Sequence, residues 1–360
     1  MKQQHLHLIL ICLWLVASGC NQETQRQWEA KPTALGKLNE IVLITGDDLA
    51  ESAIRDTFDY YFGSSYPIMP SPEPMFDIRH YTVKELRYEP LRQQLRTYVI
   101  LADISDADSD ATKMLIQDLG KERLRDAQAG QLTSSVGKDK WARNQLLIYL
   151  FADGREALAR LIAEKYSAVA KRINQHDKEQ LAAGIYAIKN INPGLSNRIA
   201  EEIGVEIDVP GVYQVALDKL DENLIWLRHD GKEHISNIVV TRHNYTGPEM
   251  LTKEGLTKLR DLHGKSHVQG GSPGSYMVTN TTNLPIYHEV TSIDDNYAVE
   301  MRGIWEMTDD FTGGPYITMA IVNEAEQSLL LLDGFVLAPS RPKRKYIQEL
   351  EYIFERARVK

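Results

Sequence analysis

Three runs near the C-terminus, YAVEMRGIWEM (297–307), YITMAIVN (316–323) and SLLLLDGFVL (328–337), read as strands. The segment after Ser340 then sets Ile347, Leu350, Ile353, Phe354 and Ala357 at helical spacing. Apolar residues that alternate or run unbroken over such lengths suit a sheet, whereas a 3.6-residue period suits a helix with one buried stripe. Working outward, further strands are expected at 224–228, 235–243, 275–278 and 286–293, with one helix over 253–263.

The N-terminal half alternates elements in a similar way. A β-branched run at 41–45 precedes a helix carrying Ile54, Phe58 and Tyr61, and Pro67, Pro70, Pro72 and Pro74 force an extended stretch into 76–83. A helix over 86–95, a buried strand over 97–104, helical segments over 110–127 and a strand over 145–151 follow. The last long helix aligns Leu158, Leu161, Ile162, Tyr166, Val169 and Ile173 on one face, and Asn192-Pro193-Gly194 marks the break after it. The fold class is therefore α+β: two α/β halves with mixed or antiparallel sheets, covered by helices on one side, and a closing C-terminal amphipathic helix. Both halves share an order of elements, but no shared residues establish a duplication.

The first twenty residues carry an address. Lys2, an apolar core from Leu8 to Val16 and Ala17-Ser18-Gly19-Cys20 form a lipoprotein signal peptide, too short to span a bilayer as a helix. Residues 1–19 are expected to be removed and Cys20 to be lipidated, with acyl chains numerous enough for stable anchoring. Residues 20–39, polar and without periodicity, read as a flexible tether; 40–190 form the N-terminal half and 191–360 the strand-rich C-terminal half.

Composition narrows the partners. Lys2 is the sole charged residue before Cys20, so the mature chain carries 40 basic and 50 acidic side chains, a net charge of −10. Nucleic acid is excluded as a partner on this balance. Of the two cysteines, Cys12 leaves with the signal and Cys20 is acylated, which excludes disulfides and thiolate chemistry.

Several familiar patterns fail on inspection. Gly270-Gly271-Ser272-Pro273-Gly274 has the spacing of a nucleophile elbow, yet a helix precedes it, a strand follows, and Pro273 lacks the N–H an oxyanion needs. Gly264-Lys265-Ser266 lacks the first glycine of a phosphate loop, since Leu259 stands there. His263 and His267 have the spacing of helical metal ligands but read as solvated loop histidines beyond a helix stopped by Gly264. Asp106, Asp108 and Asp110 begin a calcium loop whose glycine and glutamate are replaced by Ala111 and Gln117; Asp110 reads as a helix cap. No metal or cofactor is expected.

Two charged clusters break local expectation. One face of the 299–307 strand carries Glu300, Arg302, Ile304 and Glu306, with Asp309 and Asp310 beyond it. This is either a solvated face or a cleft in which paired carboxylates perform acid and base work. Arg341, Lys343, Arg344 and Lys345 crowd the start of the last helix, where the dipole disfavours cations. Either Glu349 offsets them or an external anion does.

The segments EMRGIWE (300–306), GGPY (313–316) and GFVLAP (334–339) followed by Lys343-Arg344 resemble an uncharacterised family of Bacteroides-type lipoproteins, a domain of unknown function. Pro72-Glu73-Pro74-Met75-Phe76, Trp141-Ala142 and Trp226-Leu227-Arg228 extend the resemblance over nearly the whole mature chain. The resemblance implies a Gram-negative envelope lipoprotein and supplies no catalytic residues. The glycines of the block, among them Gly303, Gly313, Gly314 and Gly334, are expected to serve tight turns and bulges.

The reading that follows is a non-enzymatic binding or assembly module, anchored to the outer membrane by its lipid and facing the periplasm. It is expected to bind an envelope protein or glycan through Glu300, Arg302, Glu306, Arg341, Lys343, Arg344 and Lys345. The alternative is a hydrolase of envelope glycan or peptide that uses Glu300 and Glu306.

Overall fold

The computed structural model describes residues 31–187 and 190–360. The signal peptide, Cys20 and most of the expected tether lie outside the described residues. Among those described, no helix is long and apolar enough to cross a membrane.

The chain packs as two compact units, one running up to Asp56 and resuming at Ile78–Glu164, the other comprising Thr57–Asp77 and Lys165–Lys360. The division into units crosses the expected boundary between 40–190 and 191–360, because Thr57–Asp77 and the residues from Lys165 group with the C-terminal part. Residues 57–77 are a strap that belongs with the C-terminal strands, and their prolines gave no hint of which core they serve.

In the first unit, β1 (Glu40–Thr45) is followed, after α1 (Ala53–Phe62), most of which belongs to the second unit, by β2 (Asp77–Thr82), α2 (Val83–Tyr88), β3 (Thr97–Asp103), α3 (Asp110–Gln128), β4 (Ser134–Lys138) and β5 (Leu146–Ala152). The sheet order is β2-β1-β3-β5-β4, with β1, β3 and β5 parallel and β4 antiparallel to β5. Every residue of β1 and β3 is buried, as central parallel strands require. The helix expected over 86–95 instead starts at Val83, behind a capping box of Thr82 and Glu85, and ends at Tyr88. Pro90 lacks the N–H that would continue it and opens a 3-10 turn. Residues 32–35, expected to be tether, bond to the backbone of Arg143 and Gln94.

In the second unit the chain continues from α4 (Arg155–Ile185), which starts in the first, to α5 (Pro193–Glu202). Asn192 caps α5 by accepting from the Leu195 N–H, and Pro193 is preset for the first turn, so the expected break is a helix start. Next come β6 (Val205–Glu206), β7 (Gln214–Lys219), β8 (Leu224–Asp230), β9 (Ile235–Asn244), α6 (Lys253–His267), β10 (Met277–Asn280) and β11 (Tyr287–Ile293). The chain ends with β12 (Asn296–Met307), β13 (Gly313–Asn323), β14 (Ser328–Leu337), α7 (Arg344–Glu355) and β15 (Arg358–Val359). Among the described residues an eight-stranded sheet runs β10-β12-β13-β14-β9-β8-β7, and β11 also pairs with β12. Asp294 and Asp295, both at positive φ, form the two-residue turn that joins β11 to β12.

This sheet is covered on both faces, a correction to the one-sided expectation. Asp333 bonds Arg260 of α6, whereas its neighbour Gly334 faces Leu350 and Phe354 of α7. Consecutive residues of a strand point to opposite faces, so α6 and α7 lie on opposite sides. A Cβ at Gly334 would stand 3.0 Å from both helix side chains, and one at Gly303 would stand 2.5 Å from the Tyr316 hydroxyl. Neither glycine has positive φ. They make room for a helix and a ring respectively, not for the turns the sequence suggested.

Candidate functional site

The alternation of β12 places Glu300, Arg302 and Glu306 on the face that carries α7. Arg302 is 9% exposed rather than solvated. Its Nε donates to Glu300, its Nη2 lies 3.1 Å from Glu351 of α7, and its Nη1 donates to the Tyr66 hydroxyl at 3.1 Å. Tyr66 in turn donates to Glu351 at 3.2 Å. Burial, with Glu351 next to it, raises the Tyr66 pKa and keeps the phenol protonated. Burial by itself would lower the pKa of Arg302, but the facing Tyr66, Glu351 and Glu300 hold it above the ordinary arginine value.

Glu306 is not part of that cluster. Its carboxylate accepts from the Asn280 amide at 2.7 Å. Six residues of strand separate Glu300 from Glu306, roughly 20 Å at about 3.3 Å per residue. Paired glycosidase carboxylates stand only about 5–9.5 Å apart. The two cannot act on one bond, and the hydrolase built on them is withdrawn. Asp310 caps its own turn through the Thr312 N–H at 2.6 Å.

The basic cluster is likewise engaged from within. Helix α7 begins at Arg344, with Lys343 at its N-cap. The backbone N–H groups of Lys343 and Arg344 donate to the two oxygens of Glu73 at 2.7 and 2.9 Å. The anion expected at this helix start is thus a carboxylate of the strap, favoured by the free N–H groups and the dipole. Arg344 grips the strap again through the carbonyls of Pro74 and Met75 and through Asp77 at 2.7 Å. Arg341 pairs with Glu233 at 2.7 Å, Lys343 donates to the Arg341 carbonyl, and Lys345 lies 3.6 Å from Glu349. Arg302, Arg344 and the backbone at the start of α7 therefore hold residues 66–77, whereas the side chains of Arg341, Lys343 and Lys345 bond elsewhere. Lys345 stays exposed.

The calcium reading fails on similar grounds, because one oxygen of Asp106 accepts from the N–H groups of Asp108 and Ser109, and α3 starts at Asp110 rather than behind it. The histidine reading changes more. Helix α6 continues through Gly264 to His267, and a Cβ at Gly264 would stand 2.2 Å from the Met277 carbonyl oxygen, so this glycine permits close approach instead of ending the helix. His263 and His267 are therefore helical and half-buried, and His263 meets His243 of β9, Nε2 to Nε2, at 3.3 Å. Burial, with His243 and His267 nearby, pushes His263 down to about 4, and burial also lowers His243.

Two features escaped the sequence reading. The first is Arg260, 1% exposed, whose Nε bonds Asp333 at 2.8 Å and whose Nη1 bonds Thr279 at 3.1 Å, while its guanidinium lies 3.7 Å from the Tyr316 ring centre. Thr318 completes the set by donating to Asp333 at 2.6 Å.

The second is a cavity of about 230 Å³ on the same face, past the end of α6. Trp226, Trp305 and Phe335 line it; Phe335 has its ring centre 6.3 Å from Trp226 and 5.6 Å from Trp305. Both indole N–H groups are committed, Trp226 to Asn237 and Trp305 to the Val336 carbonyl, so the rings have only faces and edges to offer. The loop after α6 adds Gln269, Gly270 and Gly271, while Arg228, Asn237 and Asp310 bring polar groups. A second cavity of about 280 Å³ is polar, between Ser196, Asn197, Glu206, Asp208, Arg356 and Arg358.

Comparison with known proteins adds two families. Residues 192–356 match "Domain of unknown function (DUF4837)" and residues 34–186 match "Domain of unknown function (DUF8532)", together nearly the whole chain. No curated protein matches the sequence. Among solved structures, the crystal structure of LpqN, involved in cell envelope biogenesis of Mycobacterium tuberculosis, aligns over 43% of this chain and 82% of its own. Identity there is 9% and the TM-score 0.28.

Proposed function

We propose that this protein is a non-enzymatic, lipid-anchored cell-envelope binding module that seats a sugar ring of an envelope glycan in the Trp226–Trp305–Phe335 cavity. The carrying observation is that aromatic cavity beyond the end of α6, where the partly exposed Trp226 stands over the buried Trp305 and Phe335 and polar side chains form the edge. Sugar rings pair apolar faces with hydroxyl edges, and such a site offers aromatic faces below with Arg228, Asn237, Gln269 and Asp310 around them. Its volume is below the roughly 300–1,000 Å³ of drug-sized sites, which suits one ring. The signal sequence supports anchoring through Cys20; Asn21 after it is not the aspartate linked to inner-membrane retention in enteric bacteria, which favours the outer membrane, and the lack of an acidic cluster just after Cys20 favours a body facing the periplasm.

Titration of the soluble mature body with envelope glycan fragments, followed by tryptophan fluorescence, tests this. A saturable change that Trp226→Ala abolishes, with cooperative unfolding retained, is the expected result. Absence of any saturable signal, or an equal one in the variant, removes the reading.

A further inference from the structure

His243, His263 and His267 belong to neither cavity. The Nε2 atoms of His243 and His263 are 3.3 Å apart, and the rings of His263 and His267 lie 18° from parallel with centres 6.4 Å apart. Two imidazole lone pairs do not approach this closely without a positive centre between them, which is either one ring proton or a cation. Nitrogens that share a tetrahedral ion at about 2.0–2.1 Å are held roughly 3.3–3.4 Å from each other, so the backbone already sets the rings at ligand spacing. The Thr241 hydroxyl, 2.9 Å from the same His243 nitrogen, adds an oxygen beside them.

The chemistry of the donors selects the ion. Imidazole nitrogens favour zinc, copper and nickel, whereas calcium and magnesium demand carboxylate and carbonyl oxygens. Among the described residues no three His, Cys, Asp or Glu side chains already surround one point. Two nitrogens are in place, then, and water or a rotated His267 fills the remaining positions. Gly264 matters here: by letting α6 run on against Met277, it keeps His263 and His267 one turn apart on one helix.

We infer that His243 and His263, with His267 one turn on, form an open binding site for a divalent transition-metal ion of the zinc type. The site is independent of the glycan reading.

Calorimetric titration of the untagged mature protein with zinc chloride is the test, with cobalt absorption as a report on coordination. One ion per chain is expected, and His263→Gln and His243→Gln should each weaken it by roughly tenfold or more. His288→Gln, whose ring bonds the Leu251 carbonyl, should leave the affinity unchanged. As a readout that needs no variant, zinc should protect His263 from carbethoxylation by diethyl pyrocarbonate. No binding, or equal affinity in wild type and in both folded histidine variants, overturns the assignment, as does unprotected modification of His263 in saturating zinc.

Discussion

The Arg302 and Arg260 clusters use the same parts, a guanidinium, a carboxylate and a tyrosine, on opposite faces of one sheet. Arg260 sits in the core at 1% exposure, over the Tyr316 ring, with Asp333 as its carboxylate partner. Arg302 keeps some water, since the carboxylates of Glu300 and Glu351 are 16% and 23% exposed. The difference teaches that the role of a charge depends on what it is asked to hold. Arg260 ties helix α6 to the sheet through a single buried carboxylate, whereas Arg302 holds the strap through two partly exposed carboxylates and a phenol.

The sharpest way to break the comparison is Asp333→Ala, which strands the Arg260 guanidinium in the core. A loss of about 3–5 kcal/mol is expected in urea unfolding, enough to unfold a marginal domain. Asp333→Ala with Arg260→Met should recover part of that loss, and failure to recover would mean that the pair matters through packing alone.

Arg302→Met should cost less, about 2 kcal/mol, because Glu300 and Glu351 can turn to water. A double-mutant cycle with Tyr66→Phe should show coupling, and the strap near Tyr66 should become more open to proteolysis in the single variant. Additive losses would separate the strap from the network.

The smallest expected effect is one of pH, beside the basic cluster. Burial, with His229 and Lys345 nearby, pushes His234 down to about 4, and its ring stacks on Tyr346 with centres 3.8 Å apart. The folded value lies below the unfolded value of about 6.5, so the neutral ring contributes stability in full above pH 6.5. That contribution declines as pH falls from 6.5 toward 4. Because the ring is half exposed, about 1 kcal/mol is expected. Urea unfolding at pH 7 and 5 should show wild type losing more than His234→Phe; equal losses would refute the shift.

The sequence by itself determined the strands of the C-terminal sheet apart from the edge strand β7, and the buried stripe of α7, because alternation and the 3.6-residue period are local. Its residues Ile347, Leu350, Ile353 and Phe354 are all buried. The α+β class followed from those periods. Local signals also misled where they had two physical causes: Gly264 and the run Asn192-Pro193-Gly194 looked like breaks but are a close contact and a helix start. Only tertiary structure decided the partners of the charges. Glu73 and Lys343 are 270 residues apart, as are Arg344 and Pro74. Nothing in a one-dimensional pattern encodes which distant carboxylate fills a helix start. The same holds for His243 and His263, and for the three aromatic rings of the cavity, which strand register brings together. A side chain's type fixes what it can bond, while the path of the backbone fixes what comes within reach.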